Sequence, residues 1–279
     1  VLFCGDDGID TDEGYQGKIQ FAFIMVGTAG HHALEMDSKT NGDVDSQPRS
    51  FPQLYNALIV GGDSVTPSVS SDDQLSGLAR LREGTGGEFG NVILTNVGQY
   101  GVRQTSCGSE SRSDVRGNPS SSKDYLYWSR NNIIFGGDAK FNLDGSCAGL
   151  AEAGGSVDTD PQLMLMPGAA HEDVKFIDPR PIQGSVAYSS FDTAPSDGFF
   201  TQARYRGAFD DELWLAGWSW LSDYARIPDD IWGEALSGTL STSKTLSASS
   251  SYLLTGQLFV RSGTTLTIEA GTTLKAYRS

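Results

Sequence analysis

Asp6, Asp7, Asp10, Asp12 and Glu13 form the densest run of carboxylates in the chain. A turn with several carboxylate and carbonyl oxygens can hold a hard cation such as Ca2+, which takes roughly six to eight oxygen ligands. Asp6, Asp7, Asp10 and Asp12 are therefore the candidate metal ligands, with Ca2+ as the ion they suit; the sequence requires no cofactor. A second stretch, Asp37 to Asp45, has the look of a calcium loop, but Lys39 takes a ligand position and no Glu closes it. Carbohydrate cleavage is a further chemistry open to Asp6, Asp7 and Asp10. Paired carboxylates hydrolyse glycosidic bonds, and Ca2+ with a basic residue (Lys18, Arg80, Arg82 or Arg103 here) acts on uronic acids. Nothing in the spacing demands either, and a structural acidic turn is the expectation. No catalytic residue is assigned.

Other motifs carry less. His31 and His32 are adjacent, so on a strand they point to opposite faces and do not share an ion. His171 stands alone. No G-x-S-x-G, phosphate-binding loop or H-E-x-x-H occurs, and Gly84–Gly87 reads as a turn. The 20 Lys and Arg against 35 Asp and Glu leave a formal charge of −15. That balance argues against nucleic acid and anionic lipid, which bind through basic faces. The longest apolar run, Ile19 to Val26, falls short of the ~20 residues that span a bilayer, so no membrane insertion is expected. Of three cysteines, Cys107 and Cys147 lie in Ser/Gly-rich sequence and suit a disulfide, leaving Cys4 over. That pattern suits an exported protein. Three free thiols are the alternative.

The elements that must position these residues are short strands. The runs Tyr55–Gly62, Gly90–Asn96 and Asn131–Gly137 each read as Asn, a β-rich apolar stretch, then Gly or Asn; Lys18–Gly27 is a looser version with Gln for Asn. Such a recurring unit predicts a β-solenoid, in which stacked coils line up like residues and Gly or Asn turns the corners. Asp72–Arg82 has helical spacing weakened by Gly77, with Leu78–Leu81 also readable as strand. Gly198–Asp223 is aromatic; four of the five tryptophans fall between Trp214 and Trp232. Trp214, Trp218 and Trp220 fit a cap over exposed coil ends, or a platform for sugar rings.

The expected organisation is a β-helix with its cap over 1–223, a linker over 224–238, and fresh strands over 239–279. Those last strands need neighbours. Tyr252, Leu254, Leu258, Val260, Leu266 and Ile268 are the candidates for strand addition, within a longer chain or onto another copy. Both ends read as interior sequence.

Together, GDDGIDTDEGYQGKIQF at Gly5–Phe21, DPRP then FFTQARYRGAF at Asp178–Phe209, and ELWLAGWSWL at Glu212–Leu221 resemble large exported bacterial right-handed parallel β-helix proteins. The tail YLLTGQLFVRSGTTLTIEAGTTLKA resembles the segment that opens such a helix, so closing motifs here precede an opening one. The resemblance implies a right-handed parallel β-helix at the bacterial cell surface or outside it. Its expected role is structural, adhesive or fibre-forming and non-enzymatic. Its expected partners are copies of itself or adjacent β-helix modules, and glycans. The alternative is a β-helix lyase or hydrolase acting on acidic polysaccharide.

Overall fold

The computed structural model describes residues 1–27, 31–39, 42–62, 77–108, 125–147, 157–166, 176–228 and 234–276. The chain divides into two compact units. The first is built mainly from Val1–Pro161 and Val186–Ala208, the second from Gln162–Pro167, Asp173–Ser185 and Phe209–Ser279.

In the first unit, successive strands alternate between two parallel sheets. One sheet contains β1 (Ile9–Thr11), β3 (Leu34–Met36), β5 (Ala79–Arg82), β7 (Tyr100–Thr105) and β10 (Ala139–Leu143), in that order. The other contains β2 (Lys18–Met25), β4 (Gln53–Val60), β6 (Gly87–Val97) and β8 (Leu126–Trp128), with β9 (Ile133–Gly136) also paired to β6. This almost all-β arrangement with parallel sheets fits a β-helix. Of the ambiguous Asp72–Arg82 stretch, Ala79–Arg82 is strand.

Register explains the core. Ile9, Leu34, Ala79, Val102 and Phe141 stand side by side across the first sheet. Ile24, Ile59, Leu94 and Ile134 do so across the second. All of these belong to one apolar cluster, closed at one end by Phe89 stacked on Trp128 at 5.5 Å. Burying each Leu or Ile contributes about 1.5–3 kcal/mol, which is why strands of only a few residues hold.

The second sheet bends at a fixed position. Pairing lapses at Phe21, Asn56 and Asn91, with φ of 58°, 55° and 56°. Asn tolerates this left-handed conformation because its short polar side chain bonds locally. The residue equivalent to Asn56 in the first strand is Phe21. Gln20, which the sequence pattern puts in the Asn role, aligns with Tyr55 instead, and its amide donates to Asn56 Oδ1 at 3.2 Å.

Residues 186–208 run along this bend. Asn91 Nδ2 donates to Asp192 O at 2.9 Å while its Oδ1 accepts from Asp192 N at 2.6 Å. Asn56 Nδ2 donates to Tyr205 O at 2.8 Å, and Gln20 exchanges two bonds with Thr201, each 2.8 Å. Phe200 packs edge-on against Tyr55, and Lys18 pairs with Asp197 at 2.6 Å. Buried Arg206 donates to the carbonyls of Asn131 and Val186. Cys107 and Cys147 are joined as a disulfide, and Cys4 is exposed and free.

The second unit holds an antiparallel pair, β11 (Leu163–Leu165) with β12 (Asp178–Pro181). It also holds two parallel sheets. One contains β13 (Glu234–Leu240), β15 (Ser251–Val260) and β17 (Thr273–Ala276); the other contains β14 (Lys244–Leu246) and β16 (Leu266–Ile268). β13 begins at Glu234, within the 224–238 stretch. Trp220–Asp223 forms one helical turn, capped by the Ser219 side chain accepting from Ser222 N.

Candidate metal centre

Side chains alternate along a strand, so in β1 the flanking Ile9 and Thr11 turn inward and Asp10 turns outward. The register sets Asp10 beside Glu35, Glu35 beside Arg80, and Arg80 beside Arg103. Two carboxylates therefore lead into two guanidiniums along one outward row. Asp37 follows β3 and is placed by its N–H, which donates to Thr11 O at 2.7 Å.

The contacts join these groups into one network. Arg80 Nη1 lies 3.2 Å and Arg82 Nε 3.4 Å from Glu35 Oε1. Arg82 Nε also donates to both Asp37 oxygens at 2.7 Å, and Arg80 Nε to Thr105 Oγ1 at 3.2 Å. Asp7 accepts from His32 N at 2.8 Å and has a carboxylate oxygen within 4.8 Å of one of Glu35. His31 Nδ1 lies 2.7 Å from Asp6 Oδ1, whereas the His32 ring faces Gly77 O at 3.0 Å. The two adjacent imidazoles thus contact different groups.

One ligand atom each from Asp7, Asp10 and Glu35 lie within 4.8 Å of one another, as do one each from Asp6, Asp7 and His31. Asp12 belongs to neither grouping among the described residues; its Oδ1 accepts from Glu13 N at 2.7 Å, a turn contact. The described residues of the Asp37–Asp45 stretch do not converge. Asp37 is held by Arg82, Asp43 accepts from Asp45 N, and Asp45 pairs with Arg49.

Crowding raises the proton affinity of these acids. Burial pushes Glu35 up first, and the hydrogen bond and charge of Asp7 push it further against the pull of Arg82. Burial also raises Asp7, and Asp10 rises through burial and then the charges of Asp12 and Asp6. Burial lifts Asp37 to about 6 despite both bonds from Arg82. For Arg82, the Asp37 bond and the surrounding carboxylates outweigh burial and push it up. The two shifts pull the salt bridge in different senses, but at neutral pH both give the same state: Arg82 charged, Asp37 ionised and the pair intact.

A set of carboxylates that resists ionising is relieved by a shared proton or by a cation. The oxygen donors of Asp7, Asp10 and Glu35 fit a hard divalent ion, which completes its shell with water and carbonyls. Glu35 contributes while still held by Arg80 and Arg82.

The remaining sequence candidates lie elsewhere. Trp214 is stacked between Phe209 at 5.1 Å and Trp218 at 6.1 Å. Tyr252, Leu254, Leu258 and Leu266 pack into the second unit's own apolar cluster, while Val260 and Ile268 are exposed. His171 lies outside the described residues. Glu35 was not singled out by chemistry, and Asp37 was named only as the start of the second stretch; the outward position of Glu in L-E-M was a usable signal once strand β3 was identified.

No curated protein and no solved structure matches the chain. Residues 1–124, which contain every member of the carboxylate–guanidinium network, match the family model described as a pectate-lyase like beta helix domain, and so this part of the chain is similar to a β-helix family.

Proposed function

We propose that this chain is a non-enzymatic extracellular β-helix module that adheres to acidic polysaccharide through a divalent cation held by Asp7, Asp10 and Glu35. The convergence of these three carboxylates, Asp10 and Glu35 from the outward row and Asp7 from the turn before β1, carries the reading. With Asp37 added, four acids face the three guanidiniums of Arg80, Arg82 and Arg103, so a polyanion meets a net negative surface. A Ca2+ ion there would supply positive charge and open coordination positions for uronate oxygens. The disulfide and the resemblance to exported proteins support an extracellular setting.

Elimination chemistry is less well supported. It needs a base, and Arg80 and Arg82 are already committed to carboxylates, with Arg82 held firmly protonated. A hydrolase is the second reading, and the rise that burial gives both Asp7 and Glu35 favours it, since that is the direction a general acid needs.

Isothermal titration with Ca2+, followed by polygalacturonate binding with and without EDTA, tests the proposal. We expect Ca2+ binding by wild type, polymer retention that EDTA abolishes, and loss of both in Glu35→Gln. Protons compete for the same oxygens. Because these acids titrate above their ordinary values, Ca2+ affinity should begin to fall above the usual carboxylate range of about 4 as pH drops. Polymer binding unaffected by EDTA would refute the cation bridge. Reducing ends released by wild type but not by Glu35→Gln would replace adhesion with hydrolysis.

The proposal includes assembly. The parallel rungs of the first unit are read as a right-handed coil, the usual hand of parallel crossovers. In the second unit, Phe259, Val260, Ile268 and Leu274 expose apolar surface on parallel strands. Docking of these strands onto another copy would be a heterologous contact and would extend head to tail. Size-exclusion chromatography should then show mass rising with concentration, and a constant monomer would rule assembly out.

A further inference from the structure

The second unit displays large aromatic rings that its own core does not use. Trp218, Trp220 and Tyr224 are 66%, 53% and 61% exposed. Two of these rings sit on ordered supports. Phe209, Trp214 and Trp218 form a continuous stack, with 14° between successive planes. Trp218 is the outermost ring, and its indole N–H donates to Trp214 O, which fixes its orientation. Trp220 stacks on Tyr224 at 4.7 Å across the single helical turn between them. The aromatic surface is therefore organised before any ligand arrives, which lowers the entropy cost of binding.

Charge selects the occupant. From Phe209 to Tyr224 the sequence carries Asp210, Asp211, Glu212 and Asp223 and no Lys, Arg or His. Asp211, Glu212 and Asp223 are exposed. Such a surface repels polyanions and supplies hydrogen-bond acceptors. Flat rings beside carboxylates suit an uncharged pyranose, whose C–H face lies on an aromatic ring while its hydroxyls donate to acids.

We propose that Trp218, Trp220 and Tyr224 form a binding platform for a neutral polysaccharide. It is chemically distinct from the carboxylate network of the first unit and does not rest on the reading given to that network.

Affinity electrophoresis of the full chain tests it. Native gels would contain hydroxyethylcellulose, glucomannan, xyloglucan or polygalacturonate, each run with EDTA present. Retardation is expected on at least one neutral polymer and not on polygalacturonate. Trp218→Ala should weaken it at least about tenfold, and Trp218→Phe, which keeps a flat ring, should weaken it less. Melting temperatures of both variants should stay near wild type, since the ring is mostly exposed. The proposal is overturned if no neutral gel retards wild type, or if Trp218→Ala and Trp220→Ala both migrate as wild type does. It is also overturned if retardation persists without polymer and vanishes in Trp218→Ala, which would make the patch a contact between copies. A large fall in melting temperature for Trp218→Phe would assign the ring to packing and overturn the platform as well.

Discussion

Asp178→Asn should destabilise the second unit by about 3–5 kcal/mol, because it leaves a guanidinium buried without its counter-charge. Both side chains of the Asp178–Arg180 pair have no exposed surface. Arg180 Nε and Nη2 reach the two carboxylate oxygens at 2.8 and 2.6 Å, and Nη1 donates to Asp211 O at 3.2 Å. The sequence D-P-R-P places both charges on one face of β12, since residues two apart on a strand project to the same side. The prolines suit an edge strand, where a missing N–H is tolerated. Urea unfolding monitored by tryptophan fluorescence should show the transition at lower denaturant. Replacing both residues with apolar ones of similar size, as in Asp178→Leu with Arg180→Met, should recover much of the loss. A single-variant cost under about 1 kcal/mol would show that water solvates Arg180 after all.

Asn91→Ala is the second large effect, expected to cost about 2–4 kcal/mol. Two bonds to the Asp192 backbone are lost, at about 1 kcal/mol each, and alanine is strained by roughly 1–2 kcal/mol at positive φ. Asn91→Gly removes the bonds but not the permitted geometry, so it should cost less than Asn91→Ala, and the difference isolates the backbone contribution. Loss of the Asp192 anchor should also loosen residues 186–208 from the bend of the second sheet. Trypsin should then cut after the exposed Arg204 faster than in wild type. Equal costs for the alanine and glycine variants would mean that the left-handed bend at Asn91 is not a constraint.

These two sites show what the sequence made legible. The Asn-apolar-Gly pattern around Asn56 and Asn91 was visible, and it marks the sheet bend. The first copy carries Phe21 at the bend, so the pattern, read there with Gln20 in the Asn role, fell one residue short of the true register. The third Asn, Asn132, is displaced: its Oδ1 accepts from Val92 N rather than aligning with Asn91. In fact the second sheet keeps a constant step between its first three strands, with Gln53 bonded to Glu88 35 residues later. The other sheet keeps no such step, since the insertions between its strands differ in length. Arg80 therefore meets Glu35 across 45 residues, while Thr11 meets Met36 across 25. Irregular intervals of that kind hide partners from inspection of a single chain. Asp6, Asp7 and Asp10 were legible because they are neighbours in sequence, whereas Glu35 and Asp37 became part of the site only through strand register.

The strap over residues 186–208 bears on the order in which this chain can mature. Gln20 receives its partner Thr201 from 181 residues away, and Asn56 receives Tyr205 from 149 away. During synthesis these rungs must therefore wait, with their bonds to the strap unmade, until about 150 to 180 further residues have emerged. Long-range closure of this kind slows folding. The interval before Thr201 appears is when those strands are most open to mispairing with other molecules.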